Sequence, residues 1–529
     1  MEALYADLLS EDEQGLIDSW RFCSPPAQCL YVRLVSRAGP WFRVDRLDYP
    51  EIPDLPEALA ELLEKGLLAR ADALDMDALG PLFTLPEWRR AFADETALPA
   101  SANKSALLEA VSALDLGDGE LQRRLAGSQT IVAPCGAEAV EVLQLLFFGN
   151  RRQGLTDFVL SDLGVARYYP YALDRQQRLF ASRAALDEYR HFGLLADAAW
   201  LLREAGDGEG LAGLGELLLE DWPRHSPSQR RYWRLLNRVA RELERHGLLP
   251  LAATLYRHSQ LHPARERLAR TLELSGDPAG ALAECEVMLA SPWNEAELDA
   301  VRRMRPRLLR QLGRPAPPAR RDRFDTRDML LPPCGERVEL AAARALEAEW
   351  AEVHYVENQL LNGLFGLAFW DVIFAPVAGA FHNAFQAVPA DMYEPDFRER
   401  RRELLARRLE ELRSGDLRAQ LLATWDRCEG YQCRWVAWRY LSRDLLARSL
   451  DCLPPRVLLA IWERQLFDPA ENRRGFPDLL ALDERPGEYR FYEVKGPGDQ
   501  LQDSQRRWLR FFAREGIPAQ VLRVSWSDD

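Results

Sequence analysis

Lysine is nearly missing from this chain. Of 68 basic residues only Lys65, Lys104 and Lys495 are lysine, and the rest are arginine. Codon bias in a GC-rich genome explains the skew as a whole. It also makes each retained lysine a place to look for chemistry that a permanently protonated guanidinium cannot perform. Histidine is scarce too: there are seven in 529 residues and none in an HExxH pattern, which excludes a zincin-type centre. Eight cysteines are too few to staple a chain of this length. Cys23 with Cys29, and Cys428 with Cys433, lack histidines at zinc spacing, so free thiols in a reducing cytosol are expected. There is no G-x-x-x-x-G-K-[ST], so no nucleotide cofactor is expected. The opening MEALYADLLSEDEQ is acidic, whereas a secretory leader carries positive charge ahead of an apolar run. One apolar run, LLNGLFGLAFWDVIFAPVAGAF (360–381), is long enough to span a bilayer. It contains Asn362, Asp371 and Pro376, so it reads as a buried helix ending near Pro376, and no membrane association is expected.

What remains is the composition of a folded protein, 47% hydrophobic and 28% charged, long enough for three or four domains. The net charge of −14 excludes a simple nucleic-acid coat, but not an enzyme with a local basic face. Arginine runs at 229–245, 302–323 and 398–412 either track a phosphate backbone or form solvated helix faces. Along the chain, 1–80 reads as a mixed α/β domain, in which LYVRLVSR (30–37) and WFRVDRL (41–47) form a hairpin about a Gly-Pro turn. In 81–165, two amphipathic helices are joined by a Pro/Ser/Asn loop, with Ser101 or Asn103 as cap; the pattern resembles the SAP module that binds DNA backbone. Residues 166–313 form a helical array. Gly247 and Ala252 recur as Gly276 and Ala281, resembling tetratricopeptide-type pairs that present a concave partner surface. The Pro/Arg-rich stretch 314–335 reads as a linker, and 336–529 as the last domain.

The chemistry-bearing pattern lies at 475–526. PDLLALD reads as a strand, ERPGE as a turn, YRFYEVKG as a second strand, DSQRRWLRFFAREG as an amphipathic helix closed by Gly516, and AQVLRVSW as a third strand. With period two, Glu493 and Lys495 share a face of the second strand. Asp478, at the start of the neighbouring strand, falls opposite Glu493 or Val494. Only the first register puts both carboxylates on one face, and the sequence does not choose. Phosphodiester hydrolysis needs acceleration of up to about 10^17-fold. Two hard carboxylates can hold Mg²⁺ or Mn²⁺, and a lysine beside them can orient water or offset developing charge.

This Asp…Glu-x-Lys set resembles the PD-(D/E)xK nuclease core in its VRR-NUC form. Gly475, Pro477 and Asp478 stand as G-x-P-D, Gly496 and Pro497 follow Lys495, and Gln505 and Trp508 stand as Q-x-x-W. Upstream, HYVENQLLNGLFGLAFWDVIF (354–374) and HNAFQAVPADMY (382–393) are similar to the Fanconi-associated nuclease family, as are the N-terminal LYVRLVSRAGPWFRVDRLDYPEI and the order of segments. The resemblance implies a bacterial member with a multidomain, mostly α fold. It would comprise an N-terminal α/β region, a SAP-like hairpin, a TPR-like array and a C-terminal α/β PD-(D/E)xK core. It implies catalytic roles for Asp478, Glu493, Lys495 and Gln505, and a Mg²⁺ or Mn²⁺ site of Glu357, Asp478, Glu493 and Val494. Glu357 would be a helix-borne acid completing the site. The implied function is 5′ flap endonuclease and 5′ exonuclease action on branched DNA in cross-link repair. Two readings stand beside it: a non-catalytic repair scaffold, and a restriction-type enzyme that reads base sequence.

Overall fold

The computed structural model describes residues 2–527 apart from 38, 72, 97, 98, 100, 128, 151–163, 318–321 and 334. The chain divides into two compact units, Met1–Leu155 and Thr156–Asp529. Part of the stretch expected to end the SAP-like region, 151–163, lies outside the described residues.

The first unit is mostly helical around a small antiparallel sheet of β1 (Phe42–Arg43), β2 (Leu68–Arg70) and β3 (Ile131–Pro134), in the order β1-β3-β2. The hairpin expected over 30–47 does not form: Pro25–Val35 is a helix. Ser24 caps it by accepting the Ala27 N–H, and Pro25 and Pro26 occupy its first turn, where a missing N–H costs nothing. This start outweighs the β preference of Tyr31, Val32 and Val35, and Phe42–Arg43 pairs instead with the distant Ile131–Val132. The SAP-like helices are Leu85–Ala91 and Lys104–Ser112, and Asn103 caps the second through the Ala106 N–H at 2.9 Å.

Among its described residues, the second unit carries seven packed helices ahead of its sheet: Arg183–Glu204, Gly208–Glu220, Ser226–Arg245, Leu249–His258, Ala264–Leu274, Pro278–Ala290 and Glu295–Gln311. The Gly/Ala echo has a structural cause. Gly247 and Gly276 take positive φ (+77° and +82°) at the turns, and Ala252 and Ala281 are fully buried where helices press together. The array docks on the C-terminal domain through buried polar groups. Glu295 pairs with Arg464 at 2.6 Å and receives Asn472 Nδ2, while its N–H donates to Asp468. Arg507 bridges Asp299 and Glu471 at 2.8 and 2.9 Å.

The C-terminal domain is a five-stranded mixed sheet ordered β4-β8-β7-β6-β5, with β4 (Thr326–Leu331), β5 (Glu352–Tyr355), β6 (Leu479–Leu482), β7 (Tyr489–Lys495) and β8 (Ala519–Trp526). β4 lies inside the stretch expected to be a linker. It pairs in parallel with β8, so its partner is remote in sequence and no local turn announces it. The apolar run at 360–381 is buried as expected, but the helix Gln359–Ala368 ends early and a short turn, Trp370–Ile373, follows. Among the described residues no helix is long and apolar enough to cross a membrane. Helix Asp503–Glu515 covers the sheet with Trp508, Phe511 and Phe512, and Gly516 ends it in the left-handed conformation.

Trp508 is the hinge pin of this packing. It is buried, its ring lies 4.1 Å from that of Phe476, and its Nε1 donates to the Arg474 carbonyl at 2.9 Å. Trp508→Ala is expected to cost about 3–5 kcal/mol. Trp508→Phe, which keeps most of the ring but loses the donor, should cost about 1 kcal/mol. Urea unfolding midpoints of the two variants check this ordering.

Candidate active site

β6 and β7 are antiparallel with Leu479 opposite Tyr492, so one step earlier Asp478 comes opposite Glu493. The register left open by the sequence is therefore the one that places both carboxylates on one face. The Val494 N–H donates to Asp478 Oδ2 at 2.8 Å, which fixes the aspartate against the second strand. Lys495 Nζ lies 2.6 Å from Glu493 Oε1. That contact is an ion pair without hydrogen-bond alignment, and neither Glu493 oxygen has an aligned donor although the residue is 1% exposed.

Buried charge dominates the electrostatics. Burial pushes the Glu493 carboxyl far above the ordinary carboxylate range; the Asp478 charge adds to the shift and Lys495 opposes it. Burial raises Asp478 as well, against the Val494 hydrogen bond and the Lys495 charge, with Glu339 and Glu357 adding to the rise. Glu339 opens the helix Val338–Leu346 and was not singled out from the sequence.

Glu357 differs from its expected setting. It does not stand on a helix but at the junction of β5 and the helix Gln359–Ala368, one residue before the cap Asn358, with φ +28°. The Val356 and Glu357 N–H groups both donate to the Asp478 carbonyl, at 2.9 and 3.0 Å, so the strained junction is tied to the aspartate's own backbone. Its carboxylate accepts from Tyr355 OH at 2.5 Å and from Asn358 Nδ2 at 3.1 Å. Val494 packs its side chain into the core beside the sheet, so only its backbone carbonyl is left to serve as a ligand. Gln505 lines the site but spends its Oε1 on the Gln502 N–H as a capping box.

A cavity of about 480 Å³ opens here, lined by Glu357, Asn358, Asp478, Gln505, Arg474 and Arg507 among others. Gly475, at φ +80°, lets its loop reach the cavity floor; a Cβ there would stand 2.6 Å from the Ser504 carbonyl carbon. Among the described residues no three carboxylate, histidine or cysteine side chains converge tightly enough to hold an ion unaided. The donor chemistry nevertheless fits a hard divalent cation: two facing carboxylates, one of them buried with only the Lys495 ammonium beside it, and a third acid lining the cavity.

Residues 412–526 match the VRR-NUC domain, 1–69 the FAN1 HTH domain, and 73–121 the Fanconi anemia-associated nuclease SAP domain. The chain is 37% identical to the Fanconi-associated nuclease 1 homolog of Pseudomonas aeruginosa, over 99% of this chain and 93% of that one. The chain belongs to the Fanconi-associated nuclease family. The homolog from Arabidopsis thaliana is 25% identical over 98% of this chain, which spans 64% of that relative's length. The crystal structure of paFAN1 bound to a 2-nt 5′-flap DNA with a gap superposes with a TM-score of 0.84 at 35% identity, covering 100% of this chain and 96% of that one. As a member of this family of nucleases the chain is a hydrolase of DNA, and its fold is the family's mostly α, multidomain one.

The raised carboxyls set a test of the site that needs no substrate. A carboxyl whose folded pKa lies above its unfolded value contributes stability in full below the ordinary carboxylate range, and that contribution is lost as pH rises through the folded value. The metal-free protein should therefore lose stability from mildly acidic to alkaline pH. Glu493→Gln should flatten the loss and exceed the parent by on the order of 2 kcal/mol at alkaline pH. Mn²⁺ should raise the parent's melting temperature more at pH 8 than at pH 6. Thermal unfolding across pH, with and without Mn²⁺, measures all three.

Proposed function

We propose that this chain is a structure-selective, divalent-metal-dependent nuclease that cuts branched DNA carrying a 5′ flap, acting in cross-link repair in the cytosol. The observation that carries the reading is the buried, face-to-face Asp478–Glu493 pair with Lys495 beside it. The flap-bound paFAN1 structure supports the choice of substrate. The free state of the described cysteines suits a reducing compartment.

Asp478, Glu493 and the Val494 carbonyl would hold the first ion, and Glu357 would complete its shell or hold a second. Bound Mg²⁺ or Mn²⁺ supplies Lewis-acid polarisation of the phosphoryl group and a more acidic water. The protein's own contribution is positional. Asp478 is anchored by the Val494 N–H on the strand that carries Glu493. Lys495, 14% exposed at the side chain, stands with its ammonium beside Glu493, where it would donate to an attacking water or a phosphoryl oxygen. Arg474 also lines the cavity, is exposed, and has no carboxylate within ion-pair distance among the described residues; it meets an incoming phosphate as an unneutralised cation. Gln505 supports the site through the helix start it caps, without touching the reacting atoms in this arrangement.

Purified protein incubated with 5′-flap, nicked and single-stranded DNA should cut the flap substrate in Mg²⁺ or Mn²⁺ and fall silent in EDTA. Asp478→Ala and Glu493→Ala should do the same in full metal. Undiminished cutting in EDTA would sink the proposal. Lys495→Ala should lower turnover by about 10²–10³-fold while DNA affinity changes little. Lys495→Arg should rescue poorly, because guanidinium is bulkier, spreads its charge and does not deprotonate. Single-turnover rates and binding isotherms on the same flap separate rate from affinity.

A further inference from the structure

Most arginines near a carboxylate in this protein close an ion pair with it, as Arg448 does with Glu352 and Arg510 with Asp322. Arg337 near Glu357 does not: its Nε faces Glu339 at 3.6 Å instead. Its Nη2 donates to Tyr355 OH at 3.0 Å, its guanidinium carbon lies 5.0 Å from the Tyr355 ring centre, and the phenol in turn donates to Glu357 Oε2. The tyrosine is thus interposed between cation and acid. The second oxygen of Glu357 accepts from Asn358, another neutral donor, whose own Oδ1 accepts the Phe476 N–H on the loop leading to Asp478.

We propose that Tyr355 is a positioning residue that orients the Glu357 carboxylate towards the metal site while keeping Arg337 from neutralising it. A carboxylate oxygen has two acceptor directions, so one neutral donor on each oxygen fixes orientation and leaves capacity for a cation. A guanidinium in the same place would occupy both oxygens and cancel the charge that attracts the ion. The arrangement matters here because the acids do not converge into a ready-made cage. What sets the distance of Glu357 from the Asp478–Glu493 pair is its strained backbone and these two donors.

The proposal rests on Glu357 as a metal ligand, and the test separates the two. Mn²⁺ affinity of the DNA-free, full-length chain is measured by titration calorimetry for the parent, Tyr355→Phe, Glu357→Gln and the double variant. Tyr355→Phe keeps the ring in place, and its unfolding midpoint checks that it folds. It should weaken Mn²⁺ binding roughly tenfold, in line with the loss of a ligand's supporting hydrogen bond. In the Glu357→Gln background the same change should add nothing. In flap cleavage, Tyr355→Phe should lower kcat at subsaturating Mn²⁺ with the KM for DNA unchanged, and excess Mn²⁺ should restore kcat. If Glu357→Gln leaves Mn²⁺ affinity unaltered, the ligand reading fails and this one with it. If Glu357→Gln weakens binding but Tyr355→Phe does not, or Tyr355→Phe tightens it, the positioning role alone is overturned. Equal losses in both backgrounds would likewise overturn it, because Tyr355 would then be acting by another route.

Discussion

Two carboxylates are buried opposite each other at one end of a sheet, and the pair cannot carry its full charge there without a cation. Moving even one ion out of water costs several kcal/mol after relaxation, and a like charge alongside makes it worse. Lys495 answers only part of this demand, since Glu493 keeps both oxygens without an aligned donor. The protein has therefore built a deficit of positive charge into its interior, and the rest of the domain is arranged so that it cannot relax. A free pair would drift apart. Here the β6–β7 register, the Val494 N–H on Asp478 and the apolar packing of Leu479, Tyr492 and Val494 hold it together. A hard cation bound between the two would relieve that cost.

Holding that geometry falls to the loop before β6. Gly475 threads the chain against the backbone of Ser504 where no side chain would fit, and Trp508 fastens the preceding carbonyl from the covering helix. Asn362 reaches the Arg473 carbonyl while its own Oδ1 takes the Gln465 amide, and Asn358 takes the Phe476 N–H. These amides join the β5–helix junction that carries Glu357 to the loop that carries Asp478. The segments that carry the two acids, far apart in sequence, are thus held by neutral hydrogen bonds, which do not compete for the charge of the carboxylates.

This division explains what the sequence disclosed. The strand–turn–strand–helix–strand run of 475–526 is legible because its signals are local: alternation in YRFYEVKG, the Pro-Gly turn, and Gly516 at the helix end. The Asp478 register was not legible, because it depends on a single-residue choice that side-chain pattern leaves degenerate. The edge strand Thr326–Leu331 was hidden for a related reason: a parallel partner about 195 residues away leaves no nearby turn to read. The segment 30–35 misled because Tyr31, Val32 and Val35 favour strands by type, yet Ser24 with two prolines starts a helix whatever follows. Glu357 was singled out through family resemblance. Tyr355 and Asn358, which hydrogen-bond to it, carry no sequence signal, since a phenol two residues before an acid is unremarkable until the two are folded together.

The charge balance can now be reconciled with a polyanionic substrate. The arginine runs that stood out in the sequence are largely spent. Arg230 and Arg234 pair with Glu394 and Asp396, Arg241 and Arg245 with Glu244 and Glu242, Arg305 and Arg307 with Glu286 and Glu273, and Arg408 with Glu411. Each such pair is close to electrically silent at a distance and further screened by salt. In a chain of net charge −14, much of the positive charge of its most arginine-dense segments is thus offset locally. The field a phosphate meets is weighted towards the cations left without a carboxylate, and Arg474, which lines the cavity beside Asp478, is one of these among the described residues. An arginine already paired with a carboxylate has less charge to offer a phosphate than an unpaired one, so density of arginine in the sequence is a poor guide to where a phosphate backbone is met.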